Sequence, residues 1–311
     1  MIDALPDLVR PLGELASAEL LTGGQFATTY RVTLTDGSRV VVKTAPVGTD
    51  QLLAYEHDLL RAEALVYGLA ASLPALRMPQ VLLTDFSRTL VPSDALVVSH
   101  LPGVPLVDSG LDQDDPRAMR DVGAVLAALH AVTGPAFGYP CGRQAGTWRE
   151  SFGAMIDELL DDAARWSVAV PAAAVRDAMS RHGHTLADVE RPSLVHTDLW
   201  AGNVFVEPAT GQVVGIIDPE RAFWGDPLAD LVGVDPMSRS VGTPELLEGY
   251  GPGLDVTSAS AVTRLELYRM RLCLVMMIEI TPRRFEGDWV EPHRAAVTAN
   301  LHRALEALAR P

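Results

Sequence analysis

The chain has 311 residues, 48% of them hydrophobic, and a formal net charge of −15. This length is typical of about two domains or lobes. The acidic net charge argues against a general affinity for nucleic acid or anionic membranes, because both bind clustered Lys and Arg. The two cysteines, Cys141 and Cys273, cannot form a disulfide framework and lack metal-ligand spacing, so buried free thiols in a reducing compartment are expected.

The first third of the chain is predicted to be rich in β-strands. An alternation of apolar and polar side chains, followed by the turn signal Asp36-Gly37, predicts a hairpin. An apolar stripe at three- and four-residue steps predicts a helix over residues 51–72, and Leu101-Pro102-Gly103 then interrupts regular structure. The predicted strands lie at residues 26–34, 39–43, 81–84 and 95–99.

From about residue 115 onward the pattern becomes helical. Pro116 suits the first turn of a helix. The predicted helices cover residues 119–132, 147–166, 171–184, 245–249, 262–281 and 292–310, with short apolar strands within 195–206 and at 213–217. The sequence therefore predicts an α+β fold of two lobes, with a β-rich N-lobe at residues 1–101 and a larger helical C-lobe at residues 102–311.

The most apolar runs are too short to cross a membrane. They lie at residues 122–129 and 272–278, well below the roughly 20 residues that a spanning helix needs. Residues 1–20 carry four acidic side chains and no basic start, which is atypical of a secretion signal. These features predict a cytoplasmic protein, and we expect a monomer or a homodimer. The acidic net charge is compatible with a cationic small-molecule partner.

The strongest functional motif is His196-Thr197-Asp198, with Asn203 five residues after the aspartate and Asp218 at the end of a later apolar strand. Phosphoryl transfer requires a carboxylate that accepts the proton of an attacking hydroxyl, and a carboxamide and a second carboxylate that hold Mg²⁺ on the phosphates. The spacing of Asp198 and Asn203 matches the catalytic loop of protein kinases. The motif therefore predicts phosphoryl transfer from ATP with Mg²⁺ on a protein-kinase-like fold.

The N-lobe contains the other elements that bind a nucleotide in a kinase. Gly23 and Gly24 form a small-residue turn that allows backbone N–H groups to approach phosphates, with Thr28 on the strand that follows. Lys43 follows three valines at the end of the next strand, the position of the phosphate-binding lysine. Its acidic partner is Glu56 or Glu63, which lie seven residues apart and share nearly one helix face.

In this order of motifs the sequence resembles the aminoglycoside phosphotransferase superfamily, which includes macrolide, fructosamine and choline kinases. The resemblance covers essentially the whole chain and implies that Asp198 is the catalytic base, that Asn203 and Asp218 bind Mg²⁺ and that Lys43 binds phosphate. The segment Arg61-Ala62-Glu63-Ala64 resembles the family's R-x-E-A stretch and favours Glu63 over Glu56. Backbone groups of Ser99, His100 and Leu101 would meet the nucleotide base, whether ATP or GTP is used.

The same resemblance assigns further acids and shows two departures. Asp230, in a G-D-P-x-x-D segment, would hold the backbone of the catalytic loop, and Glu220, two residues after Asp218, is a candidate to face the metal or the substrate. Glu279 is a candidate substrate-binding acid on a different ground, because a charge at the end of an apolar helix needs a partner. Thr197 stands where many members have Gly, and Trp200-Ala201-Gly202 is closer to fructosamine-kinase-like members than to many drug-modifying ones.

The sequence motifs therefore leave the identity of the phosphate acceptor undetermined. The predicted function is transfer of the γ-phosphate to a hydroxyl of a small molecule, either an aminoglycoside or other antibiotic, or a sugar, fructosamine-type or amino-alcohol metabolite. A protein kinase is disfavoured because the Asp-Phe-Gly and Ala-Pro-Glu landmarks are missing. A nucleotide-binding pseudokinase is disfavoured because Asp198, Asn203 and Asp218 are all present.

Overall fold

The N-terminal region is built around a five-stranded antiparallel sheet with the strand order β1-β2-β3-β5-β4. We describe residues 4–21, 26–238 and 240–310 from a computed structural model of the chain. The strands are β1 Leu15–Leu21, β2 Thr28–Leu34, β3 Arg39–Thr44, β4 Val81–Asp85 and β5 Ala95–Ser99. Gly37 turns the β2–β3 hairpin at a φ of 86°, which a side chain would strain, so the hairpin predicted from Asp36-Gly37 is confirmed.

Two helices pack with this sheet. The short helix α1, Leu5–Val9, was not predicted, and it buries Leu5, Leu8 and Val9 in an apolar cluster with β2 and β3. Helix α2 spans Leu59–Ala70 and buries Glu63 and Tyr67, two polar side chains one helical turn apart.

The helix predicted over residues 51–72 is shorter than the apolar stripe indicated. Residues 54–56 form a separate 3₁₀ turn, and α2 begins only at Leu59. Distant contacts hold the earlier segment outside the helix, since the N–H of Ala54 donates to the carboxylate of Asp162 over 2.8 Å. Backbone hydrogen bonding to another part of the chain therefore prevails over local periodicity here.

The remainder of the described chain is mainly helical. The helices are α3 Pro116–Ala131, α4 Trp148–Arg165, α5 Ala172–His182, α6 Leu228–Val234, α7 Pro244–Tyr250, α8 Ala259–Ile278 and α9 Val290–Ala309. Side-chain caps fix several starts, such as the carboxylate of Asp115, which accepts two N–H groups at the start of α3. None of the described helices is both long and apolar enough to cross a membrane.

Two small sheets connect these helices. The first has the order β11-β10-β6 and the second the order β8-β7-β12-β9. Their strands are β6 Val104–Pro105, β7 Phe137–Gly138, β8 Gln144–Ala145, β9 Ser193–Val195, β10 Val204–Val206, β11 Val213–Ile216 and β12 Phe223–Gly225. Trp148 fills the centre of the core and stacks on Phe223 with ring centroids 5.1 Å apart.

The predicted α+β class, with a β-rich N-terminal region and a helical C-terminal region, is confirmed. The chain leaves the first sheet at Ser99 and enters the β6–β10 ladder at Val104, so residues 100–103 connect the two regions. The division into lobes at residues 1–101 and 102–311 stays a prediction.

Candidate functional site

Lys43 lies at the centre of a buried group of charges. On β3 it pairs in register with Thr29 and Leu96 of the neighbouring strands. Its Nζ lies 2.6 and 2.8 Å from the two carboxylate oxygens of Glu63 and 2.5 Å from Oδ1 of Asp218. Burial alone would lower the pKa of Lys43, but the charges of Asp218 and Glu63 raise it well above its usual value, so the ammonium stays charged.

The two acids that the sequence left open as partners of Lys43 are separated by the structure. Glu63, inside α2, contacts Lys43. Glu56, in the 3₁₀ turn before α2, instead accepts the N–H of Leu53 over 2.9 Å and pairs with Arg283. The hydrogen bonds that hold residues 54–56 outside the start of α2 therefore also keep Glu56 away from the lysine.

The loop between β9 and β10 is held by Asp230, as its sequence position predicted. The carboxylate of Asp230 accepts the N–H groups of His196 and Thr197 over 3.0 and 2.6 Å, and it contacts His130 Nε2 at 2.9 Å. Thr197 has a φ of 70°, a conformation that favours glycine. A Cβ at Gly233 would lie 2.6 Å from the carbonyl oxygen of Thr197, so the glycine allows α6 to approach this loop.

Asp198 and Asn203 lie on this loop and are connected through its backbone. The amide Nδ2 of Asn203 donates to the carbonyl of Asp198 over 2.7 Å. His196 Nε2 donates to the carbonyl of Ile217 over 3.0 Å, which ties the loop to the residue before Asp218. Burial raises the pKa of the Asp198 carboxyl, although the nearby guanidinium of Arg221 opposes the change. A raised pKa makes Asp198 a stronger base than an exposed aspartate.

Asn203 and Asp218 are brought together by the antiparallel pairing of β10 with β11. Asn203 precedes β10 and Asp218 follows β11, and Val204 pairs with Ile216, so both side chains lie at the same end of the hairpin. Asp218 has a φ of 68°, and its N–H donates to the hydroxyl of Tyr67 over 3.0 Å. Burial would raise its pKa, but Lys43 lowers it below the ordinary value, so the carboxylate is ionised.

Glu220 adds a third carboxyl group beside Lys43. One oxygen from each of Glu63, Asp218 and Glu220 lies within 4.8 Å of the others. Carboxylate and carboxamide oxygens are the ligands that Mg²⁺ prefers, so Asp218, Asn203 and Glu220 fit a magnesium ion chemically. Burial, followed by the charge of Asp218, raises the pKa of Glu220 well above its usual value.

Glu279, the other predicted substrate-binding acid, already has partners. Its carboxylate lies 2.9 Å from Nη2 of Arg221 and 3.4 Å from Nη1 of Arg283. We expected a charge at this apolar helix end to need a partner, and Glu279 does have partners. They are two arginines of the same chain, Arg221 and Arg283. A role for Glu279 in binding substrate stays a prediction.

The residues predicted to contact the nucleotide base lie where β5 ends. The N–H of Ser99 donates to the carbonyl of Gln80, and Ser99 Oγ accepts the N–H of Gln80, both over 2.9 Å. His100 and Leu101 follow, and burial lowers the pKa of the His100 imidazole. Thr28 is the first residue of β2. Gly23 and Gly24 lie outside the described residues.

A cavity of about 160 Å³ lies beside Glu220. Tyr55 and Tyr139 line it, and their rings stack with centroids 5.8 Å apart. Cys141 also lines it and is only partly buried, whereas Cys273 is buried, and both are free thiols. The prediction of two buried thiols is therefore correct for Cys273 alone.

The sequence interpretation missed two side chains of this site, Tyr67 and Arg221. Tyr67 follows Glu63 by one helical turn, and this spacing places both on one face of α2. Arg221 follows Asp218 by three residues, but its contact with Glu279 connects positions 58 residues apart. The helical spacing could have identified the tyrosine, whereas no local pattern indicates the partner of Arg221.

Comparison with known proteins finds one matching family and one curated relative of similar sequence. Residues 17–261 match the model of the phosphotransferase enzyme family. Acyl-CoA dehydrogenase family member 10 from Mus musculus is 27% identical over 266 residues, which are 82% of this chain but 23% of that protein. The chain thus spans about a quarter of the length of this curated relative.

Solved structures share the fold at low sequence identity. A fructosamine-3-kinase candidate from Thermobifida fusca is 22% identical with a TM-score of 0.68, covering 96% of this chain and 97% of its own. A thermostable mutant of aminoglycoside phosphotransferase APH(4)-Ia, in ternary complex with AMP-PNP and hygromycin B, is 20% identical with a TM-score of 0.68 and covers 98% of both chains. Macrolide 2′-phosphotransferase MphH from Brachybacterium faecium is 21% identical with a TM-score of 0.58, over 96% of this chain and 98% of its own. These likenesses show a kinase-like fold.

Proposed function

Because the chain belongs to the phosphotransferase enzyme family, we propose that it transfers the γ-phosphate of ATP, or of GTP, to a hydroxyl group of a small molecule. Family membership makes the chain a phosphotransferase enzyme; the phosphate donor, the acceptor and the roles of the site residues are the proposal. The single observation that carries it is the contact of Lys43 with both Glu63 and Asp218. This contact joins strand β3, helix α2 and the segment after β11 around one buried ammonium group.

Lys43 would bind the phosphates of the nucleotide, and Glu63 would keep its ammonium in place. Asp218 and Asn203 would hold Mg²⁺, with Glu220 as a further candidate ligand. When bound, the ion would neutralise the charge that develops on the transferring phosphoryl group. Backbone groups of Ser99, His100 and Leu101, together with Thr28 and the turn at Gly23 and Gly24, complete the proposed nucleotide site.

Asp198 would accept the proton of the attacking hydroxyl. Its burial supports this role, because a desolvated carboxylate with a raised pKa is a stronger base. The hydrogen bonds from His196 and Thr197 to Asp230 support it further, because they hold the loop without using the carboxylate of Asp198.

Two relatives with this fold favour different chemical classes for the phosphate acceptor. Relatives with this fold include a protein crystallised with hygromycin B and a fructosamine-3-kinase candidate, so an antibiotic and a sugar-type metabolite are both compatible with the fold. A cytoplasmic location, where ATP is abundant and thiols stay reduced, is part of the proposal.

A label-transfer screen tests the proposal. Purified protein, Mg²⁺ and γ-³²P-labelled ATP are incubated with aminoglycosides, macrolides, sugars, fructosamines and amino alcohols, and products are identified by mass. We expect a labelled product with the wild type and none above background with Asp198→Asn. Tight nucleotide binding with no labelled product from any hydroxyl compound would favour a protein that binds nucleotide without chemistry.

A further inference from the structure

Tyr67 connects helix α2 to the segment that carries the proposed metal ligand Asp218. Its side chain is 1% exposed and lies in an apolar cluster between α2 and β5. The hydroxyl nevertheless reaches a polar group, because it accepts the N–H of Asp218 over 3.0 Å. The helix that presents Glu63 to Lys43 therefore also contacts the backbone of the proposed metal ligand.

The backbone of Asp218 adopts a conformation that has to be held in place. Its φ and ψ are 68° and 45°, in the left-handed region, which is unfavourable for a residue with a side chain. Asp218 also precedes Pro219, and a residue before proline is ordinarily extended. Such a conformation persists only where the surrounding structure restrains it, and here it accompanies the contact of the carboxylate with Lys43.

Hydrogen bonds from two parts of the fold hold the peptide group between Ile217 and Asp218. On one side, the carbonyl of Ile217 accepts Nε2 of His196, from the loop that follows β9, over 3.0 Å. On the other side, the N–H of Asp218 donates to Tyr67, from α2. Because this carbonyl and this N–H belong to one planar unit, His196 and Tyr67 together set the orientation of the peptide from which the Asp218 side chain departs.

The hydroxyl of Tyr67 is able to serve Asp218 and Glu63 at once. Burial, followed by the charge of Glu63, raises the pKa of this hydroxyl well above its usual value, so it keeps its proton and can donate one hydrogen bond while it accepts another. Tyr67 follows Glu63 by one helical turn on the same face of α2. Burial raises the pKa of the Glu63 carboxyl, whereas the charge of Lys43 and a hydrogen bond from Tyr67 oppose the change.

We propose that Tyr67 is a positioning residue for the magnesium site, whose hydroxyl holds the N–H of Asp218 and thereby keeps the Asp218 carboxylate in the orientation that binds the ion. The inference rests on the proposed function and goes beyond it, because Tyr67 acts through Asp218 and is not itself a ligand. Tyr67→Phe keeps the ring and removes this acceptor, so Asp218 should occupy the binding orientation for a smaller fraction of the time. The apparent affinity for the ion then falls by the same factor as that fraction.

Calorimetry of ADP binding, with and without Mg²⁺ at fixed ionic strength, tests the proposal. In the wild type we expect Mg²⁺ to tighten ADP binding. In Tyr67→Phe this tightening should shrink by about fivefold, which one net hydrogen bond typically supplies, while the Kd for ADP alone stays within about twofold of wild type. In turnover assays, the variant should need more Mg²⁺ for half of its maximal rate and keep most of its kcat at saturating Mg²⁺.

Tyr268→Phe is the matched control. It also removes a buried tyrosine hydroxyl, which donates to Asp226 over 2.6 Å and accepts Nε1 of Trp148 over 2.8 Å. This variant should have a lower melting temperature and the full effect of Mg²⁺ on ADP binding.

Several outcomes would overturn the inference: an unchanged Mg²⁺ effect in Tyr67→Phe, an equal loss of ADP affinity with and without Mg²⁺, the same loss of the Mg²⁺ effect in Tyr268→Phe, or unfolding of Tyr67→Phe alone. A wild type whose ADP binding ignores Mg²⁺ would refute the proposed metal site and the inference with it. An intact Mg²⁺ effect without any labelled product would refute the proposed phosphoryl transfer, and the comparison of the two variants would still decide the role of Tyr67.

Discussion

The substitution Asp198→Asn isolates the proposed base from the rest of the site. Asparagine keeps the shape of the side chain but cannot accept the hydroxyl proton as a carboxylate does. The loop should stay intact, because the backbone of Asp198, not its carboxylate, bonds to Asn203, and Asp230 holds the preceding residues. A general base contributes about 10²- to 10⁴-fold in rate, or roughly 3–5 kcal/mol of barrier, so turnover should fall by that factor.

The pKa of Asp198 adds a second expected result. Burial raises the pKa in the folded state, so the folded protein binds the proton more tightly than the unfolded chain and loses stability as pH rises through the folded pKa, above the ordinary value of 3.8. Asparagine does not titrate, so the variant should lose less stability than the wild type between acidic and neutral pH.

Three measurements test this reasoning together: turnover by label transfer, ADP affinity by calorimetry, and the melting temperature as a function of pH. We expect a large loss of turnover, nearly unchanged ADP affinity, and a neutral-pH melting temperature equal to or above that of the wild type. Turnover within a few-fold of wild type would remove Asp198 from the mechanism. Unfolding of the variant would instead identify Asp198 as a structural turn residue.

Three further substitutions concern the charges around Lys43. Lys43→Ala should weaken ATP binding and lower the free energy of unfolding by about 3–5 kcal/mol, because it leaves two carboxylates without their buried partner. An unchanged Kd for ATP together with an unchanged unfolding midpoint would contradict this. Glu63→Gln should reduce turnover more than Glu56→Gln, whereas Glu56→Gln should lower the melting temperature, since Glu56 caps a turn and pairs with an arginine; the reverse order of kcat values would reassign the roles. Asp218→Ala should be inactive at every Mg²⁺ concentration, and Mg²⁺ should no longer tighten ADP binding in calorimetry; wild-type rates would show that Asp218 is not a ligand.

Local patterns predicted much of the fold because their causes are local. The hairpin β2–β3 follows from strand alternation and a glycine that tolerates positive φ. The helices α3, α4, α8 and α9 were predicted from local sequence patterns, and the observed bounds differ from the predicted ones by a few residues. Side-chain caps stabilise the first turns of α3, α4 and α8. The short helix α1 was missed because five residues carry too little periodicity to detect.

The fold class and the motif containing Asp198, Asn203 and Asp218 could be predicted from local sequence, because residues close together in the chain form the strands, turns and motifs. The pairing of distant charges could not be predicted in this way, because it depends on how the chain folds in three dimensions. Lys43 and Asp218 are 175 residues apart, and Glu56 and Arg283 are 227 residues apart. These pairings are important for stability because a buried charge loses its hydration, and this cost is offset only when an oppositely charged group lies nearby.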